Sequence, residues 1–420
     1  MTRTYNPPID ERQVSAQLAA LDALLQRVVP TNAFQRERLG AARVRSLEDL
    51  RALPFTCKDE LLADQVLAPP YGSNLTFPLE RYTHLHLTSG TVGEQLRVLQ
   101  TAEDWSASRR CFALVLREAG ITAADRVALP FPFGAYLQFW AAAAGVEDVG
   151  ALALPLGGLD GRDRLRAIAD FEATAIVCTP TEALGLIDVA REWSLEGAFQ
   201  SIGAVICQGE PGASIPATRA RIEAAWGARV LDHAGSTEAG VFSYPCAEGG
   251  GLHVNERDFL CEVRDPASGG DAPPGGQGEL VLTALARTGF PAIRFRSGDV
   301  VDVGGSCPGG HEDLWLPNGI VGRTDEMAVI RGTSVFPSAI EQALREAGVL
   351  GEYRIRYYTE ATERDEIRVL VEATDPALVR TIEERICARL ALRVRIVPVM
   401  PGVLTPSRPK ARRVENTQPR

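Results

Sequence analysis

The chain has 420 residues, a hydrophobic fraction of 45%, a formal net charge of −10 and a pI near 5.2. That length exceeds one ordinary hydrophobic core and predicts at least two domains. The acidic balance and the lack of a long basic run argue against nucleic acid as the main partner, and no apolar stretch is long enough to span a bilayer. Met1 to Gln17 is polar, without the apolar core of a signal peptide, so the expected location is the cytosol. There, scattered cysteines are thiols or metal ligands before they are disulfides.

In chain order, Leu18, Leu21, Leu24, Leu25 and Val28 recur at helical spacing and predict a helix over 14–28, stopped by Pro30. Shorter helices are expected over 46–53 and 58–66, with Pro54 between them. The β-branched and aromatic run Tyr82 to Leu87 suits a strand. It leads into Thr88-Ser89-Gly90-Thr91-Val92-Gly93, a turn whose glycines let backbone N–H groups approach an anion and whose hydroxyls add donors. A helix over 102–118 and a strand over 126–129 follow. Pro130 and Pro132 rule out regular structure after that strand, leaving an aromatic loop as a candidate pocket wall.

From 151 to 232 short apolar strands (151–154, 175–178, 204–207, 229–232) alternate with helices (161–171, 182–191, 215–226). This rhythm predicts a parallel sheet covered on both faces, with ligands bound in loops at the carboxyl ends of its strands. Beyond Leu231 the pattern turns β-rich (252–254, 260–263, 279–283, 292–295) and predicts a smaller attached sheet or barrel. A compact terminal region with a βαβ-like rhythm follows (327–330, 338–347, 367–372, 376–390, 393–398). The fold class is therefore α/β, with a large core domain over 1–324 and a small α+β domain over 325–420. The polar, basic tail from Thr405 is expected to be mobile.

Five segments now occur in a telling order: Thr88 to Gly93, His233-Ala234-Gly235-Ser236-Thr237-Glu238, Arg294 to Asp299, Gly322 to Asp325, and Arg331 to Pro337. Together they resemble the adenylate-forming superfamily, and the short length with Val335-Phe336-Pro337 resembles its phenylacetate-coenzyme A ligase branch. The likeness runs from about Tyr82 to the C-terminus. It implies ATP-dependent activation of a carboxylic acid to an acyl-adenylate, followed by transfer to coenzyme A or another nucleophile.

Attack of a carboxylate on the α-phosphate needs positioning and charge neutralisation more than acid–base exchange. Glu238 is the expected magnesium ligand, since a hard cation wants an anionic oxygen. Thr237 would donate to the α-phosphate, and Asp299 can accept from both ribose hydroxyls. The resemblance adds Arg323 at the same sugar, Gly209, Glu210 and Pro211 around adenine, and Asp232 and His233 beside the nucleotide. It also makes Lys410 the lysine that bridges carboxylate and α-phosphate during adenylation, with Asp325 as the hinge that moves it away for thioester formation. A mobile ammonium can stabilise charge developing in the transition state.

The sequence departs from the family pattern at several places. Glu94-Gln95 stands where many relatives have Lys-Pro, and His233-Ala234-Gly235 replaces a more usual Tyr-Gly, reshaping the floor of the acid pocket. A histidine there is expected to pack or hydrogen-bond rather than act as a base. Some relatives hold zinc, and Cys246, His253 and Cys307 fit the corresponding places, with His311 or alternatively Cys261 as fourth ligand. Phe133 and Tyr136, near Phe131 and Phe139, could with Ala234 and Gly235 frame an aromatic acid. Two readings stay open beside coenzyme A ligation: transfer of the adenylate to an amine or hydroxyl, and a non-catalytic nucleotide-binding homologue. A nicotinamide dehydrogenase is disfavoured, because Gly90 and Gly93 do not give its Gly-x-Gly-x-x-Gly turn. The expected partners are an aromatic acid and ATP, with the chain a monomer or homodimer.

Overall fold

The computed structural model describes residues 11–88, 95–246, 248, 250–266, 268–273, 275–330, 333–349, 351–359, 365–390, 392–404 and 413–416. Ser89, Gly90, Thr91 and Gly93 of the expected phosphate loop lie outside the described residues, as does Lys410.

The N-terminal helices are α1 (Glu11–Val28), α2 (Ala33–Leu39), α3 (Leu47–Ala52) and α4 (Lys58–Leu67). The leucine stripe of α1 is buried against Leu260 and Ile293, and Gln17 Nε2 donates to Glu256 O (2.7 Å) and Phe259 O (3.1 Å). Ser46 and Asp49 form a reciprocal capping box that starts α3. The segment before α4 is pinned by Thr56, whose N–H donates to Arg294 O and whose carbonyl accepts from Arg296 N, both at 2.9 Å. That pairing fixes where α4 begins, and so where Lys58 points.

The antiparallel pair β1 (Tyr82–Leu87) and β2 (Arg97–Thr101) flanks the Thr88 loop. Then come α5 (Ala102–Glu118), β3 (Arg126–Leu129), α6 (Leu137–Val149), β4 (Leu152–Pro155), α7 (Gly161–Asp170), β5 (Ala175–Cys178), α8 (Pro180–Trp193), β6 (Ala204–Cys207), α9 (Pro216–Trp226) and β7 (Arg229–Asp232). The strands form the expected parallel sheet, in the order β4-β3-β5-β6-β7. Strand alternation divides the core into two. Ala175, Val177, Ala204, Ile206 and Leu231 face α5 and α6, while Ile176, Cys178, Val205, Cys207 and Val230 face α7, α8 and α9.

The β-rich part contains β8 (Ser243–Pro245), β9 (Leu252–Val254), β10 (Phe259–Arg264), β11 (Gln277–Ala284), β12 (Phe295–Asp302), β13 (Trp315–Leu316) and β14 (Ile320–Arg323). They make a sheet β10-β11-β12-β14 and a smaller one β13-β9-β8. The strand expected over 292–295 instead begins at Phe295. Arg294, at φ 44°, makes the bend while its guanidinium is buried against Glu262, with Nε 2.8 Å from Oε2.

The C-terminal elements are β15 (Ala328–Ile330), β16 (Thr333–Val335), α10 (Pro337–Glu346), β17 (Tyr353–Thr359), β18 (Asp365–Glu372), α11 (Pro376–Leu390), β19 (Arg395–Val399) and β20 (Val414–Asn416). They enclose their own apolar core. Within the tail expected to be mobile, β20 pairs in parallel with β17, and Arg413 is buried against Glu352, Glu341 and the ring of Tyr353. The loss of freedom is offset by this buried charge network, which composition alone does not reveal.

Candidate active site

Loops at the carboxyl ends of β3 and β7 meet the end of β1, where Leu87 N donates to Ala135 O at 2.7 Å, and the loops after β5 and β6 are tied to each other. Thr88 closes the base of the phosphate loop: its N–H donates to Leu96 O and its Oγ1 accepts from Leu96 N, both at 3.1 Å. Thr237 Oγ1 donates to Leu87 O at 3.4 Å, placing the 233–238 motif beside that base. Ser236 and Gly240 exchange backbone hydrogen bonds (3.0 and 2.8 Å), a tight turn that Gly240 permits with φ 110°. The turn carries Thr237 and Glu238, which are 9% and 8% exposed.

Residues that the sequence did not single out support this motif. Lys58 Nζ lies 3.1 Å from Glu238 Oε1. Arg287, 4% exposed, donates from Nη1 to Thr237 O (3.1 Å) and Glu238 O (2.7 Å). Burial lowers its pKa to about 10, with Asp104 and Glu238 opposing that shift. Asp104 in turn accepts from Thr288 N (2.8 Å) and Gly289 N, which fixes the segment carrying Arg287. Neither cation has a local sequence signal, because both act across long chain separations.

The nucleotide candidates converge. Gly209 adopts φ 87° after β6, and Glu210 Oε1 accepts from Thr181 N at 2.7 Å, tying the β6 loop to the one after β5. Asp299 is held on β12 opposite Arg323 on β14, and Arg323 Nη1 lies 3.0 Å from Asp299 Oδ1. Burial raises the Asp299 pKa, Arg323 lowers it, and the negative charge of Glu238 raises it. Arg323 Nε also donates to Asp325 Oδ1 (2.9 Å), so the sugar candidate and the hinge candidate share one guanidinium. Asp232 Oδ2 accepts from Ser214 Oγ at 2.6 Å, and burial pushes its pKa up to about 7.

His233 is 2% exposed, its Nε2 lies 3.1 Å from Gln208 Oε1, and its ring meets the edge of Phe112 at 5.0 Å. Burial lowers its pKa to about 4, so it is neutral near pH 7. Of the aromatic residues, Phe131 and Phe139 stack in the core with centroids 4.4 Å apart. Phe133 and Tyr136 are only partly buried, at the edge of that stack.

Cys246, His253 and Cys307 are all buried, with one ligand atom from each lying within 4.8 Å of the others. Cys246 Sγ and Cys307 Sγ are 3.5 Å apart, close to the ~3.8 Å edge that Zn–S bonds of about 2.3 Å give at the tetrahedral angle. His253 Nδ1 pairs with Asp313 O (3.1 Å), while buried Nε2 has no hydrogen-bond partner, the tautomer a metal needs. Gly309 N donates to Cys307 Sγ at 3.3 Å. These donors fit zinc. The ring of His311 lies 4.8 Å from that of His253, beside this trio but outside its ligand-atom group. Cys261, on β10, is not in that group either.

Residues 332–418 match the AMP-binding enzyme C-terminal domain. Phenylacetate-coenzyme A ligase of Pseudomonas putida is 31% identical over 330 residues, covering 78% of this chain and 73% of that protein. The chain belongs to the phenylacetate-coenzyme A ligase branch of the adenylate-forming superfamily. It is an AMP-forming acid ligase. A crystal structure of 2-hydroxyisobutyryl-CoA ligase in the postadenylation state, in complex with an acyl-AMP, is 30% identical and aligns over 99% of this chain and 91% of that one, with a TM-score of 0.89. The same enzyme in the thioesterification state, at 31% identity and matching coverage (99% and 92%), gives 0.72. The arrangement of the ligase described here is more similar to the postadenylation form of that enzyme than to its thioesterification form. In it α10 docks on α9, with Ala217 N donating to Gln342 Oε1 at 3.3 Å, and Phe336 packs on Gly322, where a Cβ would overlap its ring.

Proposed function

We propose that this ligase activates an aromatic carboxylic acid with ATP and Mg2+ and then transfers the acyl group to coenzyme A. The observation that carries the reading is Thr237 held against Leu87 at the base of the Thr88 loop, together with the paired Asp299 and Arg323. In the first step a carboxylate oxygen bonds to the α-phosphorus, the bond from that phosphorus to the bridging β-oxygen breaks, and pyrophosphate leaves. Asp299 accepts from the ribose hydroxyls, and Thr237 donates to the α-phosphate. Glu238 would hold a magnesium ion, which when bound would supply charge neutralisation at the phosphates. Lys410 adds a positive charge at the reacting oxygens. In the second step the thiol displaces AMP from the acyl carbon, after residues 325–420 turn about Asp325.

Domain division at 324/325 is supported by the separate core of the terminal elements. The Cys246, His253 and Cys307 trio would hold a structural zinc, with His311 swinging in as the fourth donor. An aromatic substrate is supported by the partly buried Phe133 and Tyr136 at the edge of the Phe131–Phe139 stack. The deciding experiment is acid-dependent ATP–pyrophosphate exchange across benzoates, hydroxy- and aminobenzoates and phenylacetates, repeated with coenzyme A for thioester. Exchange without thioester selects an amine or hydroxyl acceptor, and exchange only with aliphatic acids removes the aromatic assignment.

A further inference from the structure

Several buried polar atoms on the α5–α6 face of the parallel sheet have no hydrogen-bond partner. Strand alternation places Ile206 and Leu231 on this face, and Gln208 and His233 continue the same parity beyond the strand ends. The contact of His233 with Phe112 of α5 agrees. Gln208 and His233 are 1% and 2% exposed, and each uses one polar atom on the other. That leaves Gln208 Nε2 and His233 Nδ1 without partners. The neutral imidazole pairs with Gln208 through Nε2, and its Nδ1 is a donor or an acceptor according to the tautomer.

Gln138, in the first turn of α6, reaches the same place. A Cβ on Gly235 would overlap its Nε2, so its carboxamide lies directly on the motif glycine, and both Oε1 and Nε2 are buried without partners. Buried polar atoms are almost always paired, because leaving one unmade forfeits its hydration. Here Gln138 offers a donor and an acceptor against Gly235, and Gln208 Nε2 adds a donor next to His233, which precedes Ala234 and Gly235 in the motif.

We propose that Gln138, with Gln208 and His233, selects an acid whose ring carries a hydroxyl or amino substituent, rather than a bare aryl or alkyl acid. Such a group donates and accepts at once, matching the mixed set. The inference rests on the reading that the acid lies over Ala234 and Gly235. It makes Gln138 a specificity-determining residue, invisible in the sequence because it follows the aromatic loop as an ordinary helix residue.

The test measures binding of benzoate and its monohydroxy and monoamino derivatives to the full chain by calorimetry, alongside pyrophosphate exchange with each. The best derivative is expected to bind at least about tenfold tighter than benzoate, since a site built to hydrogen-bond a substituent rejects the analogue lacking it. Gln138→Met should reduce that ratio to about threefold or less. Gln138→Glu, which keeps the acceptor and loses the donor, should shift the preference from hydroxyl toward amino derivatives. Benzoate binding as tightly as every derivative overturns the proposal, as does a ratio that survives both substitutions. Discrimination in binding with no exchange from any acid would remove the adenylation reading and leave the polar pocket standing. Exchange with benzoate equal to its derivatives would do the reverse.

Discussion

Lys58 Nζ sits 3.1 Å from Glu238 Oε1, so the first residue of α4 holds the carboxylate proposed to bind magnesium. The two cannot use that oxygen fully at once. A partly exposed ion pair is worth up to about 1 kcal/mol. Lys58→Met should therefore lower the Mg2+ concentration for half-maximal pyrophosphate exchange by about fivefold. The maximal rate should fall about tenfold, because a cation near the phosphates is lost. A Mg2+ titration of both proteins checks this, and an unchanged half-saturation point would show that Lys58 does not compete for Glu238.

Lys410 lies outside the described residues, and the next described residue after it, Arg413, is fixed to the terminal domain. Arg413 donates from Nη2 to Glu352 Oε2 at 3.3 Å, and Ile355 N donates to Arg413 O at 2.7 Å. Such an anchor lets one lysine be delivered and withdrawn with its domain. Lys410→Ala should cut pyrophosphate exchange by about two orders of magnitude or more. Asp325→Pro should separate the half-reactions, sparing adenylation more than thioester formation. Near-normal exchange in the first variant, or equal loss of both steps in the second, would count against these roles.

Zinc content is directly measurable. Purified protein should carry close to one equivalent, and removal by a strong chelator should lower the thermal midpoint by several degrees, on the order of 5 °C. Cys307→Ser should reproduce the shift without chelator. Retention of less than about half an equivalent, with no shift on chelation, would mean that Cys246, His253 and Cys307 are packed thiols and a neutral imidazole.

The parallel sheet was readable because Ala175 to Cys178, Ala204 to Cys207 and Arg229 to Asp232 are short apolar runs separated by helix-length segments. Burial on both faces demands that pattern. The candidate motif residues were picked out by the resemblance of ordered segments to a family pattern, and the structure sets Thr237 against Leu87 and pairs Asp299 with Arg323. What escaped is what acts at a distance. Lys58 reaches Glu238 through a pairing of Thr56 with β12. Arg287 reaches the same motif from the β11–β12 connection, and Gln138 meets Gly235 only once α6 packs on the sheet. Strand β20 lay hidden in a basic tail because its partner β17, and the Glu352 and Glu341 that hold Arg413 beside it, are remote in sequence.

Asp232 gives a pH signature. Burial holds its folded pKa at about 7, above the unfolded carboxylate value, so between about pH 4 and 7 the folded chain binds a proton that the unfolded chain releases. Its contribution to stability is therefore complete only below the unfolded pKa and is lost as pH rises through the folded one. Asp232→Asn keeps the shape and cannot ionise. Without nucleotide, the variant should melt higher than the parent by an amount that grows from pH 5 to pH 8, reaching on the order of 3 °C. Parallel melting curves across that range would mean that the carboxyl is ionised in the fold, with Ser214 Oγ and its surroundings solvating the charge.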